Sequence, residues 1–422
     1  MQLMMGLLGN SFLQEKLPGW LTPLKKPLKA KTHSWKSALQ TGRRILGTSN
    51  QKMPKPLVVV PANETVKALQ VMIDVLASKK AIFVCPPAIN GVIPEFDATP
   101  EFVDDHIACV VESSGSTGSP KRISISLQAL EHAATAGQER LGPAGQWLLA
   151  LPINFIAGQQ VLMRSALADT QPVLMNTALP FTTEAFFRSA NLLSHSNKYT
   201  SLVPTQLAKL VAACESDQAL LEVLRSFRAI LVGGQATALE LQERALGLGL
   251  KVVISYGMTE TSGGCVYDGI PLEGVRLKIA PDGRLLIQGK TLAEDQDDWI
   301  FTNDLAELSE SGKLVILGRA DRVIISGGLK VSLDRVEYLG SELPGVEELC
   351  AVAISDETWG ERVGVCYVGS PEVADDIANQ LAALLGPAGK PIRVIRVDKL
   401  PKLATSKIDT LSVTKLFAQE SM

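Results

Sequence analysis

From residue 53 onward, short apolar runs alternate with longer stretches whose apolar residues recur every three or four positions. LVVV (57–60) reads as a buried strand, residues 64–78 as an amphipathic helix and AIFVC (81–85) as a second strand. That alternation predicts an α/β fold. A loop rich in prolines and acids (86–105) leads to IACVVE (107–112), a further strand that ends at SSGSTGSPK (113–121). A second unit repeats the rhythm. AILV (229–232) ends at Gly233 and Gly234, a helix spans about 238–247, and VVIS (252–255) ends at Tyr256 and Gly257. In a parallel sheet with crossover helices, ligands collect at the carboxyl ends of the strands. The Gly-Gly and Tyr-Gly pairs are therefore expected side by side on the ligand-facing edge.

Beyond residue 265 the pattern changes to short strands broken by turn pairs. Asp282-Gly283 separates VRLKIA from RLLIQ, and Ser311-Gly312 separates LAEL from KLVIL, which predicts the hairpins of a meander or small barrel. From Gly318 on, a Gly-Gly turn (327–328), Ser332 as a helix N-cap, an apolar run (350–354) and a helix at about 373–385 predict a small α+β domain. The expected fold class is α/β. A large domain (53–317) combines parallel-rich sheets with a small barrel-like β region, and a small mobile α+β domain (318–422) follows.

Charge sets the first 52 residues apart. They hold nine Lys/Arg against the single acid Glu15, a net of +8, which leaves −11 on the rest. Their apolar opening, MQLMMGLLGNSFL, is interrupted by Gly6, Gly9, Asn10 and Ser11, is too short to span a bilayer, and lacks the basic stretch that precedes a signal peptide's apolar core. An organellar transit peptide or a surface-seeking arm fits such a leader. The favoured expectation is a start at Met53, immediately before the first strand, with residues 1–52 dispensable. Over all 422 residues, 46% hydrophobic and 20% charged residues with a net charge of −3 predict a globular protein without general affinity for nucleic acid or membrane. Six scattered cysteines with no CxxC pair predict buried, reduced thiols.

The stretch 113–121 has the composition of an anion-holding loop. It is not G-x-x-x-x-G-K-[ST], because Pro120 precedes Lys121 and Ile123 stands two places beyond it. The dinucleotide fingerprint fails too, since no third glycine opens a helix. What remains is a loop in which Gly115 and Gly118 permit unusual dihedrals. Backbone N–H groups and the hydroxyls of Ser113, Ser114, Ser116 and Thr117 can then converge on phosphate.

Six segments extend the signal: SSGSTGSPK (113–121), VGGQAT (232–237), YGMTE (256–260), FTNDL (301–305), GRADRVIISGG (318–328) and LPKLATSKID (400–409). Their order resembles the motif series of the adenylate-forming superfamily of acyl-CoA synthetases, peptide-synthetase adenylation domains and luciferases. The resemblance implies attack of a carboxylate on the α-phosphorus of ATP, with Mg2+ and CoA as further participants. It implies a nucleotide site on the 113–121 loop with Lys121, on Gly234, Gln235, Tyr256 and Gly257, and on Asp304 and Arg319 for the ribose. Thr259 then meets the α-phosphate, Glu260 holds Mg2+, and Lys407 is the mobile catalytic lysine. Asp321 takes the hinge position and Lys330 a CoA contact. Two departures stand out: the usual Thr-Gly-Asp is Thr302-Asn303-Asp304 here, and Ser406 replaces the glycine before Lys407.

Only about 60 residues separate Met53 from the phosphate loop, fewer than in most of the superfamily. The segments WLLALPINFIAGQQVLMRS (147–165), YTSLVPTQLAKL (199–210) and SYGMTETSGGCVYDGIPLEGVRLKI (255–279) are similar to the short, actinobacterial-type o-succinylbenzoate-CoA ligases of menaquinone biosynthesis. That resemblance implies a cytoplasmic enzyme, homodimeric in keeping with the family, without a nucleic-acid partner or integral membrane segment. It implies an acid pocket at Phe155, Gly158, Gly233, Met258, Gly263 and Gly264. Phe155 stands where the family commonly has histidine, so Gln159, Ser262 or the N–H groups of Gly263 and Gly264 are the alternatives for holding the substrate's carboxylate. A ligase for another aryl or medium-chain acid and a catalytically silent nucleotide-binding protein are the competing readings. The silent reading leaves Lys121, Glu260, Asp304, Arg319 and Lys407 without a use.

Overall fold

The computed structural model describes residues 53–89, 92–93, 99–113, 121–294, 298–402 and 408–419. The basic leader, residues 114–120 of the phosphate loop and Lys407 lie outside the described residues.

Four sheets organise these residues. The first contains β1 (Lys55–Pro61), β2 (Ala81–Cys85), β3 (Phe102–Val103), β4 (Ile107–Ser113) and β5 (Lys121–Ser126), in the order β3-β1-β2-β4-β5. Strands β1, β2 and β4 run parallel, and β5 returns antiparallel to β4. The second contains β6 (Gln146–Leu149), β7 (Val173–Leu174), β8 (Lys198–Leu202), β9 (Ala229–Gly233), β10 (Val252–Met258), β11 (Gly263–Tyr267) and β12 (Ile270–Pro271), ordered β12-β11-β10-β9-β8-β6-β7. From β7 to β10 every pairing is parallel, so the carboxyl ends of β6, β8, β9 and β10 share one edge.

Both faces of this second sheet are covered, as its nearly continuous apolar strands require. Ala229 and Leu231 of β9 join a core shared with the first sheet and with helices Thr65–Leu76, Leu127–Leu141 and Ile156–Leu167. Ile230 and Val232 point the other way, into a core under helices Pro204–Ala213 and Gln218–Ser226. The one-residue alternation places a single strand in two cores.

The third sheet is an antiparallel meander of β13 (Val275–Ile279), β14 (Arg284–Gly289), β15 (Ile300–Leu308) and β16 (Leu314–Arg319), with Asp282-Gly283 and Ser311-Gly312 at two of its turns. The fourth is built from β17 (Val323–Ser326), β18 (Leu329–Ser332), β19 (Val346–Asp356), β20 (Gly360–Gly369) and β21 (Arg393–Arg396). Strand β19 again alternates: Leu349 and Ala351 pack with residues of helices Leu333–Ser341 and Ala374–Leu385, whereas Cys350 and Val352 pack with Val413 and Phe417 of helix Thr410–Gln419. Ser332 caps helix Leu333–Ser341, its hydroxyl accepting from the Arg335 N–H at 3.2 Å.

The larger and smaller parts meet where β16 gives way to β17. Asp334, in the first turn of helix Leu333–Ser341, accepts the Arg319 N–H at 2.6 Å and also pairs with Arg322, which binds Glu337 as well. All six cysteines are free and buried. Burial pushes the thiols of Cys109 and Cys265 up to about 12 and those of Cys214 and Cys366 up to about 11, so they stay protonated and unreactive at neutral pH. Among the described residues no helix is long and apolar enough to cross a membrane.

Candidate active site

The ends of the phosphate loop are fixed by the β4–β5 hairpin. Ser113 and Lys121 are register partners, and the Ser113 hydroxyl donates to the Lys121 carbonyl at 3.3 Å. The sequence pattern could not supply this closure: the loop joins two antiparallel strands instead of leading into a helix. Lys121 is exposed at the hairpin's return. Ser114, Gly115, Ser116, Thr117 and Gly118 lie outside the described residues.

The two glycine pairs come together as their parallel strands demand. Gly233, the last residue of β9, is the register partner of Ser255, so the first glycine pair begins beside the residue that precedes Tyr256 and Gly257. Gly234 has φ +82, a left-handed turn that frees the chain from the strand. Strand β10 runs on to Met258, past the end at Ser255 that its apolar run suggested, because β11 folds back antiparallel against it. A Cβ on Gly257 would lie 2.1 Å from the Gly263 carbonyl, so only glycine lets these backbones approach. Gln235 is exposed beyond the strand end.

Thr259 and Glu260 follow on a single 3-10 turn, Thr259–Thr261, capped by Ser262 at φ +55. Glu260 is half-buried. Among the described residues no group of three or more His, Cys, Asp or Glu side chains gathers here. So small a set of protein donors suits a hard cation that keeps its waters and shares substrate phosphates, as Mg2+ does, and does not suit zinc. Segment 291–294 ties this turn to the β4–β5 hairpin: the Ala293 N–H donates to the Glu260 carbonyl at 2.8 Å and the Glu294 N–H to the Ser124 carbonyl at 2.9 Å.

Asp304 and Arg319 are register partners on β15 and β16, and their side chains approach at 3.4 Å. Arg319 also grips Asp321 with two hydrogen bonds, 2.8 Å from Nε and 2.6 Å from Nη2. That fork holds the Asp321 carboxyl below its ordinary range. The Tyr256 hydroxyl donates to Asp304 Oδ2 at 2.6 Å, and burial together with the Asp304 charge raises the phenol's pKa, so it remains a donor. Tyr256 thereby joins the second sheet to the third. Asn303, in the family's usual glycine place, reaches Asp321 Oδ2 at 3.4 Å. The altered triplet thus connects β15 to the candidate hinge. Lys330 lies exposed on β18.

Phe155 is half-buried at the N-cap of helix Ile156–Leu167, on the same sheet edge as Gly233. Gly158 is a packing position: a Cβ there would lie 2.3 Å from the Pro152 carbonyl. Gly264 is hemmed in by Ser255 and the Tyr267 ring, and Gly263 by Gln160 and Ile156. The Ser262 hydroxyl is wholly buried and donates to the Thr291 carbonyl at 2.7 Å, so it is already used. Gln159 is wholly buried and neither amide atom has a hydrogen-bond partner. Sequence reasoning missed Gln160 and Thr291. Two adjacent glutamines in an apolar helix were a signal for the first, whereas nothing in the sequence marked the second.

The chain matches the AMP-binding enzyme family over residues 34–296 and the AMP-binding enzyme C-terminal domain over 335–407. It is 36% identical over 338 residues to a probable 2-succinylbenzoate–CoA ligase of Mycobacterium tuberculosis, a match covering 76% of this chain and 87% of that one. The chain belongs to the AMP-binding enzyme family. A 2-succinylbenzoate–CoA ligase of Listeria monocytogenes is 28% identical over 401 residues, covering 87% of this chain and 83% of the relative. Among solved AMP-binding enzymes, the o-succinylbenzoate CoA synthetase of Bacillus subtilis in complex with its acyl-adenylate intermediate superposes with a TM-score of 0.69 at 22% identity, over 89% of this chain and 90% of that one. ATP-bound MatB from Rhodopseudomonas palustris gives 0.72 at 18% identity, over 91% and 92%. Both share the fold.

Proposed function

We propose that this AMP-binding enzyme is an AMP-forming acid–thiol ligase that converts o-succinylbenzoate, ATP and CoA into o-succinylbenzoyl-CoA, AMP and pyrophosphate. The observation that carries the substrate is the 36% identity to the M. tuberculosis relative across 87% of its length. In the first step a carboxylate oxygen of the acid attacks the α-phosphorus and pyrophosphate leaves. In the second the CoA thiol, losing its proton, attacks the acyl carbon, and AMP departs with the bridging oxygen.

The residue roles in this reading are those the family resemblance implies, and the geometry of the described residues supports several of them. The hairpin closed by Ser113 and Lys121 encloses the β- and γ-phosphates, with Lys121 as a point charge. Asp304, oriented by Tyr256 and Arg319, accepts both ribose hydroxyls. Glu260 would hold Mg2+ together with substrate phosphate, and the ion would supply charge neutralisation for pyrophosphate departure. Thr259 lies beside the α-phosphate, and Lys407 approaches the same atom from the small domain. Phe155 and the carboxyl edge of the second sheet form the acid pocket. The boundary lies at 317/318 with Asp321 as hinge, and rotation there removes Lys407 and brings Lys330 toward CoA. The enzyme works in the cytoplasm, where ATP and CoA are at hand, as a homodimer.

Pyrophosphate release over a panel of acids tests the substrate. The expected result is turnover with o-succinylbenzoate well above benzoate, other aryl acids and medium-chain fatty acids. Turnover of another acid with none of o-succinylbenzoate would reject this substrate and keep the ligase chemistry.

A further inference from the structure

The turn that carries Thr259 and Glu260 is held by buried side chains that touch neither nucleotide nor acid in this reading. Gln160 reaches out of helix Ile156–Leu167 and donates through Nε2 to the Ser262 carbonyl at 2.8 Å and to the Leu130 carbonyl at 3.3 Å. Ser262 donates through Oγ to the Thr291 carbonyl at 2.7 Å, and its own N–H closes the turn on the Thr259 carbonyl at 3.0 Å. Thr261 accepts the Met258 N–H at 2.9 Å and donates to the Gly263 carbonyl at 2.7 Å. Gln160, Thr261, Ser262 and Thr291 are all at most 2% exposed.

Ser262 also sits at φ +55, ψ 30, a region costly for any residue with a Cβ. A serine is held there by two bonds that a glycine could not both make: the hydroxyl to Thr291 and the carbonyl that Gln160 grips. Segment 291–294 is in turn tied to the Glu260 carbonyl and to β5. Three elements therefore converge on one three-residue turn: the helix that starts at the acid pocket, the segment after β14, and the phosphate hairpin.

We propose that Gln160 and Ser262 are positioning residues for Mg2+-dependent ATP binding, acting through the Glu260 turn. The inference rests on the reading of Glu260 as the Mg2+ carboxylate. A carboxylate on so short a turn has its reach set by where the backbone is pinned, and loss of such supporting bonds weakens metal binding by about 10–100-fold in well-studied sites. The pair also links the acid pocket to the metal, because Gln160 lies one turn beyond Ile156, against Gly263.

The test is calorimetric binding of ATP to the full chain as Mg2+ is titrated, with AMP binding as the control for an intact nucleotide site. Gln160→Leu keeps the helix apolar and removes the donor. Ser262→Gly keeps the left-handed backbone, relieves its strain and removes the hydroxyl, so it folds even if Gln160→Leu does not. Both are expected to raise the Mg2+ concentration for half-maximal ATP affinity by about 10-fold, with AMP affinity at the wild-type value. Glu260→Gln is expected to do the same or more. If Glu260→Gln shifts the Mg2+ midpoint and neither Ser262→Gly nor Gln160→Leu does, the inference is overturned and the reading of Glu260 stands. If Glu260→Gln leaves the midpoint in place, that reading falls and takes the inference with it. Equal losses of AMP and ATP affinity in Ser262→Gly would also overturn it, because they mark a general structural role.

Discussion

Replacing Lys407 with alanine is expected to slow acyl-adenylate formation by about 10²–10³-fold, the range seen when one preorganised donor to a developing charge is removed. Thioester formation from preformed acyl-adenylate should stay near the wild-type rate. The asymmetry follows from the two-step chemistry. Charge builds between the carboxylate and the α-phosphate only in the first step, and under the proposed rotation about Asp321 the lysine leaves with the small domain before the second. Single-turnover assays of each half-reaction read the two rates separately. Equal loss in both would mean that Lys407 is structural, and loss in neither would remove it from the mechanism. Ser406, in place of a glycine, leaves the expectation unchanged because the lysine and the flanking LPKLAT and ID are kept.

Asp304→Asn should weaken AMP binding by about 10²-fold, because a charge-assisted hydrogen bond is worth about 1.5–3 kcal/mol and the ribose offers two hydroxyls. The shape of the side chain is preserved. Tyr256 can still donate to the amide oxygen, and Arg319 remains forked onto Asp321, so the chain is expected to fold. Tyr256→Phe removes one orienting bond and should cost only several-fold, about 1 kcal/mol. Calorimetric AMP binding separates the variants. If Asp304→Asn bound AMP as tightly as the wild type, the ribose site would have to lie elsewhere. A larger loss in Tyr256→Phe than in Asp304→Asn would make the phenol, and not the carboxylate, the principal ribose contact.

Much of this architecture was legible in the sequence because its strands are short apolar runs between clear breakers. AIFVC became β2 with the expected ends, and Asp282-Gly283 and Ser311-Gly312 became hairpin turns. Strand β10 was legible only to Ser255, since Tyr256–Met258 carries no apolar run and is held as strand by β11 across the chain. Non-local pairing of this kind leaves no local trace. The site followed the same division. Side chains in motifs could be named in advance, and Asp304 and Arg319 do meet as strand partners. The bond from Tyr256 to Asp304 joins two sheets over 48 residues of chain, and the clamp of Gln160 on Ser262 spans 102. Neither is encoded by spacing. The Ser262 hydroxyl, one of the groups the sequence offered for holding the acid, is instead bound to a carbonyl that only the fold brings near.

The most direct measurement of the central claim uses o-succinylbenzoate labelled with 18O in its carboxyl groups, with ATP, Mg2+ and CoA, and mass analysis of the products. If a carboxylate oxygen attacks the α-phosphorus and CoA then displaces AMP from the acyl carbon, one 18O must appear in AMP, none in pyrophosphate, and the thioester must form in equal amount. Unlabelled AMP, label in a phosphate other than that of AMP, or the absence of o-succinylbenzoyl-CoA would contradict the account.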